Sequence, residues 1–217
     1  MGKAIIFDVD GTLLDTEKIY MQAWREAGAL FGYTVTEEVL MNTRAVSKTI
    51  ALKAFMDGLG EDFPYEDVRR ERMRIGEAMI YAAEPAQLQK AGALEVLELL
   101  KGQGIPMAVA SSTAYDQTVA HLDHAGLLGY FQVIVGGDMI RRGKPNPDIF
   151  LKVAELLGAD PKDCVVVEDS PAGIKAAYAA GMKPVLIPDV VPANAETNAL
   201  SAAVIEEISQ LPRAIEI

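Results

Sequence analysis

Two aspartates, Asp8 and Asp10, stand two apart where the apolar run Ala4-Ile5-Ile6-Phe7 gives way to Gly11-Thr12. If that run is a strand, side chains two apart project to the same face, and the carboxylates crowd together at its end. Such a pair repels itself unless a cation or a shared proton relieves it. Three further segments carry matching chemistry. Ser111-Ser112-Thr113 end an apolar run and precede a helical pattern, which offers hydroxyls and helix-start N–H groups to an anion. Lys144 lies in RRGKPNPDIF, and Glu168-Asp169 close the run Cys164-Val165-Val166-Val167. Carboxylate oxygens suit Mg²⁺, which commonly takes one or two carboxylates plus substrate phosphate oxygens. The set reads as a place where a phosphate meets a divalent cation.

The elements that must position these groups are legible too. Residues 3–8, 105–111, 132–135, 164–168 and 184–187 are short apolar, β-rich runs, and most are followed by helical patterns. This predicts βαβ units and a parallel sheet. Open parallel sheets bind ligands beyond the carboxyl ends of their strands, where all four segments lie. In NPDIFLKVAELLG, Asn146 is the expected N-cap, Pro147 the first helical position and Gly158 the stop. Ser170, Pro171 and Gly181 repeat that punctuation in the next unit. Between the first two strands, residues 18–31, 37–43, 48–57 and 65–82 read as helices. A crossover needs only one helix, so the extra ones predict an inserted helical bundle over residues 17–85.

Bulk properties narrow the function. Acidic residues outnumber basic ones 31 to 20, a net charge of −11, which disfavours nucleic acid as a partner. Screening over about 8 Å at physiological salt lets local charges decide which phosphorylated metabolite binds. No apolar run approaches the roughly 20 residues that span a bilayer, and KAIIF is too short for a secretory signal. No membrane role is expected. A lone cysteine, Cys164, rules out a disulfide framework and points to the cytoplasm.

The ordered set DVDGT, SST, GKPNPDIF and VEDSPAGIKAA resembles the haloacid dehalogenase-like superfamily, in its phosphatase and phosphomutase branch with a helical cap after the first motif. The resemblance spans essentially the whole chain. It implies an α/β fold: a Rossmann-like parallel core of residues 1–16 and 86–217, helices on both faces, and a helical cap domain over 17–85. By the same resemblance Asp8 is the nucleophile that takes the phosphoryl group, and Asp10 is the general acid/base whose backbone carbonyl helps hold Mg²⁺. Ser111, the N–H of Ser112, and Lys144 hold phosphoryl oxygens. Asp169, with Asp8, ligates Mg²⁺, and Glu168 supports Lys144 or a water on the metal. Gly11 and Thr12 shape the turn by which the cap closes. The partner implied is a small phosphorylated metabolite such as a sugar phosphate, phosphoglycolate or a nucleotide; no protein partner is implied.

Elementary energetics agree. Phosphate-monoester hydrolysis needs acceleration up to ~10²¹-fold, whereas acid–base help supplies about 10²–10⁴. Positioning, covalent catalysis and charge stabilisation must provide the rest. Two carboxylates driven apart in proton affinity suit the division between Asp8 and Asp10. A β-phosphoglucomutase-like isomerase is the main alternative, disfavoured because Tyr20 stands where mutases of this branch usually have histidine. Gln89-Lys90-Ala91-Gly92 also departs from relatives, which often carry a proline before that glycine. Halide displacement has no use for Asp10, and a catalytically silent scaffold would be expected to have lost part of the set.

Other residues have plainer readings. His121 and His124 lie three apart without a third ligand, so an exposed helix face is expected rather than a metal pair. Cys164 is expected as a small buried hydrophobe, and Tyr20, Trp24 and Phe31 as packing inside the cap. Arg69, Arg70, Arg72 and Arg74 are interleaved with Glu66, Asp67, Glu71 and Glu77, which predicts a solvated helix with local ion pairs. The minority reading has one of them, or Arg44, reaching an anionic group of the substrate.

Overall fold

A computed structural model describes residues 4–43 and 48–217. Arg44 therefore lies outside the described residues. By packing, the chain divides into two compact units, Met1–Asp15 with Pro85–Ile217, and Thr16–Glu84.

Along the chain, β1 (Ala4–Phe7) leads to the helices of the second unit, α1 (Thr16–Leu30), α2 (Glu37–Asn42), α3 (Lys48–Leu59) and α4 (Tyr65–Ala82). The first unit resumes with α5 (Pro85–Leu88), α6 (Ala93–Gly102), β2 (Met107–Ala110), α7 (Tyr115–His124) and β3 (Val133–Val135). It continues through α8 (Asp148–Leu157), β4 (Cys164–Glu168), α9 (Pro171–Ala179) and β5 (Lys183–Leu186). The last elements are α10 (Ala195–Leu200), β6 (Ala203–Val204) and α11 (Leu211–Ala214).

The strands form one parallel sheet in the order β3-β2-β1-β4-β5-β6. Sequence pattern had offered five strands. The sixth is a two-residue edge strand, too short to carry a periodic signal. Ala4, Ile6, Ala108, Ala110 and Val166 bury one face against Ile149, Phe150 and Val153 of α8 and Ala176 and Ala177 of α9. The alternate residues Ile5, Phe7, Val109 and Val167 are buried as well. Both faces are thus covered, which is why these strands read as continuous apolar runs rather than alternating ones. Progression runs one way from β1 to β3 and the other way from β4 to β6. The reversal opens a crevice at the carboxyl ends of β1 and β4, the switch point where such sheets take ligands.

Two helix starts differ in their chemistry. Ser170 caps α9 as its type predicts, its side chain accepting a hydrogen bond from the Gly173 N–H, with Pro171 next. In α8 the cap position is taken by Pro147, whose φ and ψ are already helical, and the Asn146 amide turns back to the Gly143 carbonyl at 3.0 Å. Gly158 ends α8 at φ 65°, as expected. Cys164 is fully buried. His121 is buried too, at 1% exposure, and not on the open face the sequence suggested; its side of α7 packs inward with Thr118 and Leu122.

In the other unit Trp24 stacks near Phe55, with ring centroids 4.4 Å apart, and Phe55 stacks on Phe63 at 5.3 Å. Phe31 falls just past the end of α1 and is 41% exposed, so it does not join that core. Arg70 pairs with Asp67 and Arg74 with Glu71, as expected of a solvated face. Arg72 instead lies over the Tyr20 ring, 4.0 Å from its centroid.

At the edge of the first unit, the segments before Thr16 and after Pro85 run side by side. Leu14 bridges Gln89 in antiparallel fashion, the Asp15 N–H donates to Leu88 at 2.8 Å, and the Lys90 N–H donates to Leu13 at 2.9 Å.

Candidate functional site

Asp8 extends β1 by one residue: its N–H donates to the Val167 carbonyl at 2.9 Å, continuing the ladder to β4. The chain then turns tightly, with the Val9 carbonyl accepting from the N–H groups of Thr12, Leu13 and Leu14. Gly11 makes this possible at φ 88°, a conformation costly for any residue with a Cβ. Asp8 is left only 7% exposed at the switch point.

Lys144 is the hub. Its Nζ donates to Asp8 Oδ1 at 2.6 Å, to Glu168 Oε1 at 2.6 Å and to the Ala110 carbonyl at 3.0 Å. Those are the three hydrogens an ammonium possesses. Glu168, at the end of β4 and fully buried, uses its other oxygen to accept from the Ser170 N–H at 2.9 Å and the Ser170 hydroxyl at 2.8 Å. Gly173, in the first turn of α9, provides the room: a Cβ there would lie 1.8 Å from the Glu168 carboxyl carbon.

Asp10 meets Thr113, which the sequence reads only as one of the hydroxyls offered to an anion. The Thr113 hydroxyl donates to Asp10 Oδ2 at 2.9 Å, and the Thr113 N–H donates to the Ser111 hydroxyl at 3.0 Å. Ser111 is 1% exposed, and Ser112 lies at the open rim. Neither serine caps α7, which starts at Tyr115; the Tyr115 N–H is already bonded to Asp138 at 2.8 Å. Gly136 and Gly137 pack closely on this loop, where added Cβ atoms would meet the Tyr115 N–H and the Ser112 carbonyl.

Asp169 closes the other side. Its Oδ2 lies 2.4 Å from where a Gly11 Cβ would sit, and Asp189 Oδ2 lies 3.3 Å from the same point. Asp189 follows β5, and its Oδ1 accepts from Lys90 Nζ at 2.6 Å. The structure therefore brings Asp8, Lys144 and Glu168 into one bonded group and Asp10, Thr113 and Ser111 into another, with Asp169 against the Gly11 turn. Applying the strand-end rule to VLIPD after β5, as to the first four strands, would have found Asp189.

The electrostatics follow from crowding. Burial raises Asp8 from 3.8 to about 8; Lys144 opposes that shift, while Glu168 and Asp10 add to it. Burial alone would lower Lys144, but Asp8 and Glu168 on either side hold it above its usual range. One ammonium thus serves the carboxylates of Asp8 and Glu168, with Asp10 adding to the negative charge felt by Asp8, and it leaves Asp8 well above its ordinary range. Further positive charge is what the arrangement calls for.

A divalent cation fits the donors present. Carboxylate oxygens predominate, the gap beside Gly11 has no Cβ, and the buried Oδ2 of Asp189 has no hydrogen-bond partner. Among the described residues no three acidic, histidine or cysteine side chains already form a cage. Mg²⁺ needs none, because it keeps several waters and takes only one or two carboxylates.

A family model described as haloacid dehalogenase-like hydrolase matches residues 3–181. The chain is 34% identical over 181 residues to the phosphorylated carbohydrates phosphatase of Thermotoga maritima, covering 83% of this chain and 82% of that one. It is 37% identical over 180 residues to hexitol phosphatase A of Escherichia coli, covering 82% and 80%. Among solved structures, CbbY from Rhodobacter sphaeroides in complex with phosphate superposes with a TM-score of 0.82 at 26% identity, covering 100% of both chains. The chain belongs to the haloacid dehalogenase-like hydrolase family.

Proposed function

We propose that the protein is a Mg²⁺-dependent phosphatase that hydrolyses a small phosphorylated carbohydrate, with the phosphoryl group carried transiently on Asp8. The observation that carries this reading is Lys144 bridging Asp8 and Glu168 at 2.6 Å each, at the sheet's switch point. The buried ammonium, its hydrogens already committed to Asp8, Glu168 and the Ala110 carbonyl, would attract a phosphoryl group delivered to Asp8 through its charge. The choice of a carbohydrate ester rests on the relatives, named for phosphorylated carbohydrates and for hexitols.

Asp8, Asp169 and the Asp10 carbonyl would hold Mg²⁺, which when bound supplies the charge that ionises Asp8 and offsets the phosphate. Asp8 Oδ attacks phosphorus while Asp10 gives its proton to the departing alkoxide. Asp10 then takes a proton from the water that cleaves the acyl-phosphate, and Asp8 is returned as a carboxylate. Thr113 orients the Asp10 carboxyl for both transfers. Ser111 and the Ser112 N–H bind the phosphoryl oxygens, and the charge of Lys144 attracts them. No helix among the described residues is long and apolar enough to cross a membrane.

The test is phosphate release from a panel of sugar, polyol and other phosphate esters with Mg²⁺, alongside trapping of ³²P on the protein. Asp8→Asn is expected to abolish both release and labelling. Asp10→Asn should cost about 10²–10⁴ in rate. Label on any residue but Asp8 refutes the mechanism, and isomerised hexose phosphate in place of free phosphate would make the protein a mutase.

A further inference from the structure

Asp189 takes no part in the chemistry above and lies beyond residues 3–181, the span matched by the family model. Its surroundings are nonetheless built. Lys90 Nζ donates to its Oδ1 at 2.6 Å and lies 3.4 Å from Asp15 Oδ1. Lys90 and Asp15 belong to the paired segments at the edge of the first unit. The tether draws Asp189 under the Gly11 turn, where its Oδ2 is buried, accepts no hydrogen bond and faces the position that Asp169 Oδ2 also approaches. Two carboxylate oxygens converging on one gap repel each other unless something donates to both or carries positive charge. A buried acceptor without a donor is costly by itself.

We propose that Asp189, held by Lys90, is a positioning residue of the divalent-cation site: its free oxygen accepts a hydrogen bond from the cation's hydration water and so sets how tightly Asp169 and its neighbours take the ion. Mg²⁺ keeps several waters when carboxylates bind it, and these need acceptors at a second layer of distance. Partners of that kind typically govern 10–100-fold of metal affinity. Lys90 neutralises one oxygen of Asp189 and leaves the other to the water. This inference rests on the proposed Mg²⁺ site.

The experiment titrates metal-free protein with Mn²⁺, without substrate, and follows free Mn²⁺ by electron paramagnetic resonance. Asp189→Asn keeps the shape and loses the charge; its Kd is expected to rise about 10–100-fold. Lys90→Met should raise Kd in the same direction, and Lys90→Arg should restore most of the affinity, a recovery that a merely structural role in stability would not produce. Melting in EDTA identifies any variant that fails to fold. Should Asp189→Asn be such a variant, the Lys90 pair decides alone. A Kd for Asp189→Asn, or for Lys90→Met if that variant decides, within twofold of the wild type overturns the inference. If the wild type binds Mn²⁺ and releases phosphate in that case, the proposed function stands without it. If the wild type does neither, both fall.

Discussion

Gly173→Ala separates two effects that ordinarily oppose each other. On helix propensity the change should stabilise α9, since alanine is better than glycine by about 0.8–1 kcal/mol. The new Cβ, however, would lie 1.8 Å from Glu168 Cδ and Oε1 and 2.3 Å from Oε2, so the carboxylate must withdraw by more than an ångström. The end of a flexible side chain usually does so cheaply. Glu168 is fully buried and held by Lys144 and by two bonds from Ser170. Hydrogen bonds to charged groups are worth about 1.5–3 kcal/mol each, so losing two outweighs the propensity gain by ~2–5 kcal/mol. At about 2–4 °C per kcal/mol for a chain of this size, Tm should fall by roughly 4–20 °C. Turnover should fall about 10²-fold, because Lys144 shifts with its partner. Gly102→Ala is the control: it lies in α6 with nothing within 4 Å of its Cβ position, and should be neutral or slightly stabilising. Calorimetry and phosphate release read both. A Gly173→Ala protein that melts at or above the wild-type temperature with full turnover would show that Glu168 is not locked, and the account of Lys144 would go with it.

Lys144→Met leaves Asp8 and Glu168 buried without their shared cation, which should cost about 3–5 kcal/mol of stability and remove turnover; retention of wild-type Tm in EDTA would contradict that. The pH dependence of the metal-free protein follows from Asp8, whose native value of about 8 exceeds its ordinary 3.8. An acid raised by folding contributes its stability below pH 4 and loses it as pH climbs toward 8, by at most ~1.4 kcal/mol per pH unit for one proton. In EDTA, Tm should therefore decline from pH 5 to 8 in the wild type and be flatter in Asp8→Asn. Coincident slopes would remove Asp8 as the cause.

The grouping of the candidate-site residues was the most legible part of the chain. Asp8, Asp10, Lys144, Glu168 and Asp169 stand at the ends or loops of strands that are plain as apolar runs, and one rule about parallel sheets gathers them. What escaped depends on contacts that no local spacing encodes. Thr113 reaches Asp10 across 103 positions and Lys90 reaches Asp189 across 99. Gly173 looks like an ordinary helical glycine until Glu168 is seen in its place. Asn146 was assigned its cap on type alone, but the proline after it already had helical angles and took the position. His121 looked exposed because a short polar helix gives little indication of which face turns inward.

The paired segments at Leu14 and Gln89 set how this fold can diversify. Chain leaves and re-enters the sheet unit at neighbouring, mutually bonded points, so to that unit everything from Thr16 to Glu84 is topologically a hairpin turn. The entropy of closing a loop rises only logarithmically, about 0.6 kcal/mol per doubling. Inserts of very different length at this junction would therefore cost the folding of the sheet unit almost nothing.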